Sequence, residues 1–236
     1  MSNESVSYSK HLWVEGKTEL QMLPFLIHGN GINWPDQIPY PVYIHNKNGF
    51  DNLTKHPKIS SFFNSHSRIT HFGIVFDADN VSPIGEDNSP QKRWKEIYSA
   101  FVKFIPEIDQ YQLSKQGLII DVKANDKILN DIKFGIWVMP DNQNPGMLET
   151  FLARLIPDGL PQLWQHTQAS VLQAQQLNAP FRDVDIDKIN LRTWLTWQNK
   201  PDSQILTAIQ TDEPLLDLTH HNAQDFVAWF KTLYEL

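Results

Sequence analysis

Five short apolar segments along the chain predict β-strands, and longer segments with apolar residues at helical spacing follow most of them. The predicted strands cover residues 11–14, 41–45, 69–76, 117–122 and 134–139. The helical segments begin near residues 17, 53, 91 and 147. This order of strands and helices predicts an α/β fold with a mostly parallel sheet, right-handed crossovers and helices on both faces.

The chain changes character after residue 157, where Gln-rich, helical patterns replace the strands. Helices are predicted over residues 160–177, 186–198 and 223–234. Because no repeat and no long linker interrupts the chain, we expect a sheet domain, residues 8–156, with a helical C-terminal subdomain, residues 157–236, packed on it. A loop rich in Pro, Gly and acidic residues is predicted at 81–90.

The absence of cysteine, the lengths of the apolar runs and the net charge limit the kinds of site and partner that the protein can have. The 236 residues include no cysteine, which excludes disulfides, zinc-thiolate sites and thiol nucleophiles and leaves oxygen or imidazole ligands for any metal. The chain has no targeting segment and no run of the ~18 apolar residues that span a bilayer, so we expect a cytoplasmic protein without a membrane partner. A net charge of −7 counts against a broad nucleic-acid surface, although a small basic patch would suffice to hold a backbone. The sequence leaves the oligomeric state open.

Acidic residues follow three of the predicted strands: Glu15, the pair Asp77 and Asp79, and Asp141. Because the carboxyl ends of parallel strands meet at one edge of a sheet, these side chains are expected to converge there. Converging carboxylates repel one another unless protons or hard divalent cations neutralise them, which predicts a Mg²⁺ or Mn²⁺ site for a phosphate-containing substrate. The Asp-x-Asp spacing would let two side chains on one face of the pleat reach one ion or two adjacent ions.

Three more residues are candidates for the same site. Glu19 lies one helical turn from Glu15, and Glu149 opens the helix after the last predicted strand. Acids at helix N-termini are also common for capping and dipole reasons alone, so a structural interpretation stands beside the functional one. Lys188 is a candidate for neutralising a transition-state phosphate, and its alternative is a solvated surface charge.

Other chemically suggestive residues favour a structural interpretation. Asp141 lies in a Pro-Asp-Asn turn, where acids are common for backbone reasons. His220 and His221 are adjacent and do not face one site, so we expect surface histidines. Trp194 and Trp197, three residues apart, are expected to form a helix face that packs on the sheet rather than a base-stacking platform.

The segments VEGKTE (residues 14–19) and FDAD (residues 76–79) resemble the Toprim pattern, in which a Glu follows the first strand and an apolar strand ends in Asp-x-Asp. The best match is to small stand-alone Toprim-like proteins akin to the Toprim portion of the OLD (overcoming lysogenization defect) nucleases. The resemblance implies a Rossmann-like Toprim sheet over residues 8–155 and carries over four residues: Glu15, Glu19, Asp77 and Asp79. The run of residues 188–198 also resembles the tail of those proteins.

The chain departs from larger Toprim proteins in ways that limit what the resemblance implies. It has no Walker A motif or ATPase domain, so nucleotide-gated cleavage is not implied. It also lacks the zinc region of primases and the tyrosine-bearing domains of topoisomerases, so primer synthesis and strand passage are not implied.

The acidic pattern and the resemblance together predict a metal-dependent phosphodiester hydrolase, a Toprim-type nuclease acting on DNA or RNA. The predicted metal ligands are Glu15, Glu19, Asp77, Asp79 and Glu149, and the residues predicted to act in catalysis are Glu15, Glu19 and Lys188. Two alternatives remain open at this point. One is a non-catalytic Toprim-like binding or regulatory module, and the other is a phosphotransferase acting on a small phosphorylated molecule.

Overall fold

The computed structural model describes residues 5–79, 90–158, 161–199, 201, 204–210 and 214–236. Its strands are β1 (Lys10–Val14), β2 (Tyr43–Asn46), β3 (His71–Asp77), β4 (Leu118–Val122) and β5 (Ile132–Met139). They form one five-stranded sheet in the order β2-β1-β3-β5-β4. The predicted mixture of strands and helices in an α/β protein is therefore confirmed.

The helices of the described residues are α1 (Lys17–Gly29), α2 (Asp51–Thr54), α3 (His56–Ser65), α4 (Pro90–Phe101), α5 (Leu148–Ala153), α6 (Pro161–Gln176), α7 (Ile186–Thr196), α8 (Ile205–Ile209) and α9 (Gln224–Tyr234). The helix predicted from residue 53 is split in two, because Lys55 is extended with ψ of 108°. Helix α8 was not predicted. The predicted loop at 81–90 lies outside the described residues apart from Pro90, as does the predicted helix start at residue 160. No described helix is long and apolar enough to cross a membrane.

The sheet is mostly parallel, as predicted. Strand β1 pairs in parallel with β2 and β3, and β3 pairs in parallel with β5. Strand β4 runs antiparallel to β5 at one edge of the sheet. Residues 123–131 join β4 to β5 without a helix, and a connection of that length is too short for the crossover that a parallel pair needs. The strand–helix alternation therefore stops at β4.

Alternate residues along the strands enter two separate apolar cores. On β1, Leu12 and Val14 pack with α1, α5, α7 and α9, whereas Trp13 packs with α2, α3 and α4. Strand β5 divides in the same way, with Trp137 in the first core and Val138 in the second. A strand buried on both faces reads as a nearly continuous apolar run, which explains why β3 and β5 are so apolar in sequence.

Helix α9 lies directly on the sheet. The Trp229 indole N–H donates to the Leu118 carbonyl at 3.0 Å, and the Tyr234 hydroxyl donates to the His11 carbonyl at 2.7 Å. Gly73 permits this close approach, since a Cβ there would lie 2.5 Å from Tyr234 Oη. The last helix is thus part of the layer that covers the sheet, and the predicted boundary between a sheet domain and a helical subdomain stays a prediction.

Replacing Tyr234 with Phe should lower the free energy of unfolding, because it removes a buried hydroxyl that donates to the His11 carbonyl. A hydrogen bond of this kind contributes about 1 kcal/mol, which urea denaturation can measure. The matched control is Tyr111→Phe, where the side chain is 46% exposed and the change should stay within about 0.5 kcal/mol. Equal stability of the two variants would contradict the anchoring role of Tyr234.

Candidate functional site

The C-terminal ends of β1 and β3 bring two acidic residues together. The two strands are neighbours in parallel register, with Val14 opposite Val75. The Asp77 backbone N–H donates to Glu15 Oε2 at 3.3 Å, although the two residues are 62 positions apart in sequence. Parallel pairing therefore produces the contact between strand ends that the sequence pattern predicts.

The Asp77 carboxylate lies between the strand ends and the start of α5. The Leu148 backbone N–H, in the first turn of α5, donates to Asp77 Oδ1 at 2.9 Å. Burial raises the pKa of Asp77 well above its ordinary value, and the negative charges of the neighbouring acids raise it further. We call this group of five carboxylates the acidic edge: Glu15, Glu19, Asp77, Asp79 and Glu149.

Glu19 occupies the third position of α1 and folds back over the start of the helix. The backbone N–H groups of Glu19 itself and of Gly16, the residue before α1, act to lower the pKa of its carboxyl. A Cβ at Gly16 would lie 2.9 Å from Glu19 Oε2, so glycine leaves room for this arrangement. Burial outweighs these groups and raises the pKa of Glu19 to about 7, assisted by the charges of Glu15 and Glu149. The side chain thus lies over the start of a helix and also belongs to the acidic edge.

Glu149 enters the acidic edge from the opposite side, in the first turn of α5. It is 6% exposed, and burial raises its pKa. The positive charges of Lys188 and Arg192 on α7 act in the other direction and lower that pKa. Because α7 packs against α5, its cations lie beside an otherwise negative group.

Asp79 differs from the other acids because it has a charged partner on α4. Its φ of 65° ends the strand alternation, and its carboxylate forms an ion pair with Arg93. The expected placement of Asp77 and Asp79 on one face of a regular pleat is therefore wrong. Asp79 still lies close enough for its charge to raise the pKa of Glu15 and of Asp77.

Two further candidates have different surroundings. Lys188 is near the acidic edge, since its charge lowers the pKa of both Glu15 and Glu149. Asp141 follows β5 at the same end of the sheet, but its carboxylate accepts a 2.6 Å hydrogen bond from Arg154 and another from Asn144 at 2.8 Å. Those bonds lower the pKa of Asp141, as expected for a turn acid with its own partners.

The histidine and tryptophan expectations are corrected in part. His220 is buried at 7% exposure and caps a short turn by accepting from the Asn222 backbone N–H, whereas His221 is exposed. Trp194 is fully buried in the core, as expected for a packing residue. Trp197 is 41% exposed and stacks on His166 at the end of α7, because the helix ends at Thr196.

Sequence reasoning missed two cations beside the acidic edge, Arg93 and Arg192. Arg93 lies in the second turn of α4, and Arg192 lies one turn after Lys188 on α7. Lys188 and Arg192 are four residues apart, and this spacing could have predicted that both lie on one face of α7. Arg93 carries no such signal, because only the packing of α4 brings it to Asp79.

The donor set fits a hard divalent cation. All five side chains of the acidic edge offer carboxylate oxygens, and burial raises the pKa values of Glu15, Glu19, Asp77 and Glu149. Repulsion from other acids of the group raises the pKa values of the first three further. Among the described residues, no three of these carboxylates place ligand atoms within 4.8 Å of one another. Mg²⁺ normally takes one or two carboxylates and keeps several waters, so this wider spacing suits partly water-mediated binding.

Fold and site together define an α/β protein with a carboxylate cluster at the C-terminal edge of a mostly parallel sheet. The chain belongs to the DUF3226 family, whose model is described as a protein of unknown function and matches residues 9–235. No curated protein and no solved structure matches the chain.

The raised pKa of Glu19 predicts that this residue stabilises the folded chain less as the pH rises. An acid with a higher pKa in the folded than in the unfolded chain keeps its proton on folding, so the folded chain binds more protons between the two values. For Glu19 that interval runs from 4.5 to about 7. The buried histidines, whose pKa values are lowered, act in the opposite direction below their ordinary value of 6.5, so the Glu19 contribution is measured as a difference between wild type and Glu19→Gln. Urea denaturation of both proteins in the presence of a chelator, at about pH 5 and about pH 8, gives this difference.

Glu19→Gln should remove the Glu19 contribution to the pH dependence of stability, because the amide has nearly the same shape but does not ionise. The variant should therefore be more stable than the wild type at the higher pH. Asp36→Asn, which changes an exposed acid, should retain the wild-type pH dependence. A Glu19→Gln variant that follows the wild type at both pH values would contradict the repulsion described here.

Proposed function

We propose that this protein is a Toprim-like, divalent-metal-dependent phosphodiester hydrolase acting on nucleic acid. The observation that carries the proposal is the contact between Glu15 and Asp77 at the C-terminal ends of adjacent parallel strands, with Glu19 and Glu149 beside them. Those positions include the residues through which the sequence resembles the Toprim pattern. The proposal assigns a Toprim-type arrangement to residues 8–156 and treats residues 157–236 as a helical extension.

Different side chains of the acidic edge would bind the metal ion and transfer the proton. Asp77 and Glu15 would hold Mg²⁺ or Mn²⁺, with Asp79 and Glu149 completing the oxygen ligands. A bound divalent ion supplies a more acidic water and stabilises charge on the leaving oxygen of a phosphodiester. Glu19, with a pKa of about 7, is suited to take and return a proton near neutral pH.

Cations near the acidic edge support binding of a polyanion despite the net charge of −7. Lys188 and Arg192 lie beside Glu149, where they can balance phosphate charge. On the other side, Arg93 forms an ion pair with Asp79, and the same first turns of α4 also carry Lys92 and Lys95. A local patch of this kind holds a backbone without requiring a basic protein.

Asp77→Asn should abolish manganese-stimulated cleavage of plasmid DNA, single-stranded DNA or RNA while leaving the fold intact. The amide removes the negative charge at the centre of the acidic edge and keeps an oxygen for the Leu148 N–H. Glu19→Gln should lower the cleavage rate about 10²- to 10⁴-fold, the usual contribution of a general base. Gel assays with and without chelator measure both effects.

The matched control is Asp141→Asn, which makes the same change at the same end of the sheet in a residue already paired with Arg154. That variant should cleave like the wild type, and circular dichroism should show the same fold for all three variants. Undiminished cleavage by Asp77→Asn would refute the nuclease proposal.

A second candidate is a non-catalytic Toprim-like binding or regulatory module. The ion pair between Asp79 and Arg93 favours it, because one acid of the predicted metal set already has a cationic partner. A phosphotransferase acting on a small phosphorylated molecule differs from both, since it would turn over nucleotides in a metal-dependent way and leave polymers intact.

Calorimetric titration with Mg²⁺ and Mn²⁺ separates a working metal site from an inert acidic group. We expect saturable binding that releases protons at neutral pH, because ligands with raised pKa values must ionise to bind a cation. Asp77→Asn should weaken this binding at least about tenfold, whereas Asp141→Asn should not. Binding without any cleavage would support the binding module, and equal binding by both variants would exclude the acidic edge as the metal site.

A further inference from the structure

Three histidines converge on the sheet face that lies under α3, away from the acidic edge. His11 of β1, His45 of β2 and His66 after α3 place one ligand atom each within 4.8 Å of one another. His11 and His66 are fully enclosed, at 0% and 1% exposure, and His45 is half-buried. The parallel register, with Trp13 opposite His45, sets the two strand histidines on the same face.

The hydrogen bonds around the rings determine where their lone pairs point. His11 Nε2 lies 2.9 Å from the Tyr8 carbonyl, and His66 Nδ1 lies 2.8 Å from the Phe62 carbonyl. A carbonyl only accepts, so these two nitrogens carry the protons of the neutral rings. The lone pairs therefore belong to His11 Nδ1 and His66 Nε2.

The third ring, His45, can supply a lone pair by a change of tautomer. His45 Nε2 lies 3.0 Å from His11 Nδ1, and it must donate because His11 Nδ1 is an acceptor. If the His45 proton moves to its own Nδ1, Nε2 supplies a third lone pair, 3.0 Å from that of His11. That shift releases no net proton, since the ring stays neutral.

We propose that His11, His45 and His66 form a binding site for a borderline transition-metal cation of the Zn²⁺ type. A metal-bound histidine commonly donates its second ring N–H to a carbonyl, which is the arrangement found here for His11 and His66. Three imidazoles suit Zn²⁺, Co²⁺, Ni²⁺ or Cu²⁺ rather than Mg²⁺, which prefers oxygen ligands. Ser5 Oγ lies 3.4 Å from His66 Nε2, so its hydroxyl is a candidate for a fourth ligand.

Metal binding requires the rings to move closer together. In a tetrahedral site with bonds of about 2.0–2.1 Å to zinc, two nitrogens lie about 3.4 Å apart. His11 Nδ1 and His45 Nε2 already lie 3.0 Å apart, and the three ligand atoms lie within 4.8 Å of one another. Closing the site therefore takes side-chain movements of up to about 1.4 Å. The rings are also ready to bind as neutral ligands, because burial lowers the pKa of His11 to about 4 and that of His45 to about 2.

One neighbouring charge acts against the cation. The Lys47 ammonium lies 3.6 Å from the centre of the Trp13 ring and lowers the pKa of His45 and His66. Lys47→Met should therefore strengthen metal binding at the histidines.

The alternative for this cluster is packing alone. His11 and His66 stack edge-on at 4.7 Å, and Phe62 lies 4.4 Å from the His66 ring. Aromatic packing explains why the rings are together, but it does not require a ring nitrogen of both His11 and His66 to be bonded to a backbone carbonyl. The two explanations predict different spectra with cobalt.

The test is a titration of the full-length, tag-free protein with Co²⁺, followed by displacement with Zn²⁺. We expect intense visible absorption from a four-coordinate nitrogen site, loss of that absorption on adding one equivalent of Zn²⁺, and a rise in melting temperature with Zn²⁺. His45→Gln and His66→Gln should each weaken Co²⁺ binding at least about 100-fold. His166→Gln, which changes an exposed histidine, is the matched control and should bind like the wild type.

Asp77→Asn distinguishes this site from the acidic edge, since it should leave the cobalt spectrum unchanged whether or not the hydrolase proposal holds. The wild-type spectrum provides a test even if a histidine variant fails to fold. Only weak absorption from six-coordinate cobalt, or a four-coordinate spectrum that persists in both histidine variants, would overturn the proposal. A spectrum lost in Asp77→Asn would also overturn it by placing the ion at the carboxylates.

Discussion

Repulsion among buried carboxylates is the constraint on which the functional end of this protein depends. Two unit charges about 4 Å apart interact by about 4 kcal/mol at an effective dielectric constant of about 20. The whole stability of a domain is about 5–15 kcal/mol, so several such pairs cannot remain fully charged without compensation. Backbone N–H groups near Asp77 and Glu19 compensate part of the negative charge. The pKa values of both residues are nevertheless raised, so this compensation is incomplete.

The architecture explains how so many acids meet without unfolding the chain. Parallel strands place their carboxyl ends at one edge, and helices α1 and α5 begin there with N–H groups that have no acceptor within the helix and with the positive ends of their dipoles. Gly16 leaves room for the Glu19 carboxylate above the first turn of α1. Cations on α4 and α7 flank the group, and they belong to helices on opposite faces of the sheet.

The sequence predicted the parts of the site that depend on local pattern. The apolar strands and the acids that end them follow from periodicity. The expected helical turn between Glu15 and Glu19 is wrong, because α1 begins at Lys17 and Glu15 lies before it. Arg93 could not be found in this way, because its partnership with Asp79 depends on how α4 packs. The short connection between β4 and β5 could have predicted that the two strands are antiparallel. The regular alternation of strands and helices before β4 suggested a parallel strand instead.

The histidine cluster could not be predicted from the sequence either. His11 and His45 lie in strands that pair only in the folded chain, and His66 follows a helix, so no spacing pattern in the sequence indicates the cluster. The molecule thus holds two sets of metal-type ligands of different chemistry, carboxylate oxygens at one end of the sheet and imidazole nitrogens under α3.

The central claim is that a doubly charged cation completes the acidic edge, and a crystal soaked in Mn²⁺ tests it most directly. The account predicts an anomalous peak beside Asp77, within direct or water-mediated reach of Glu15 and Glu19. A well-ordered acidic edge without a peak, with its carboxylates balanced by Arg93, Lys188 and Arg192 alone, would contradict it.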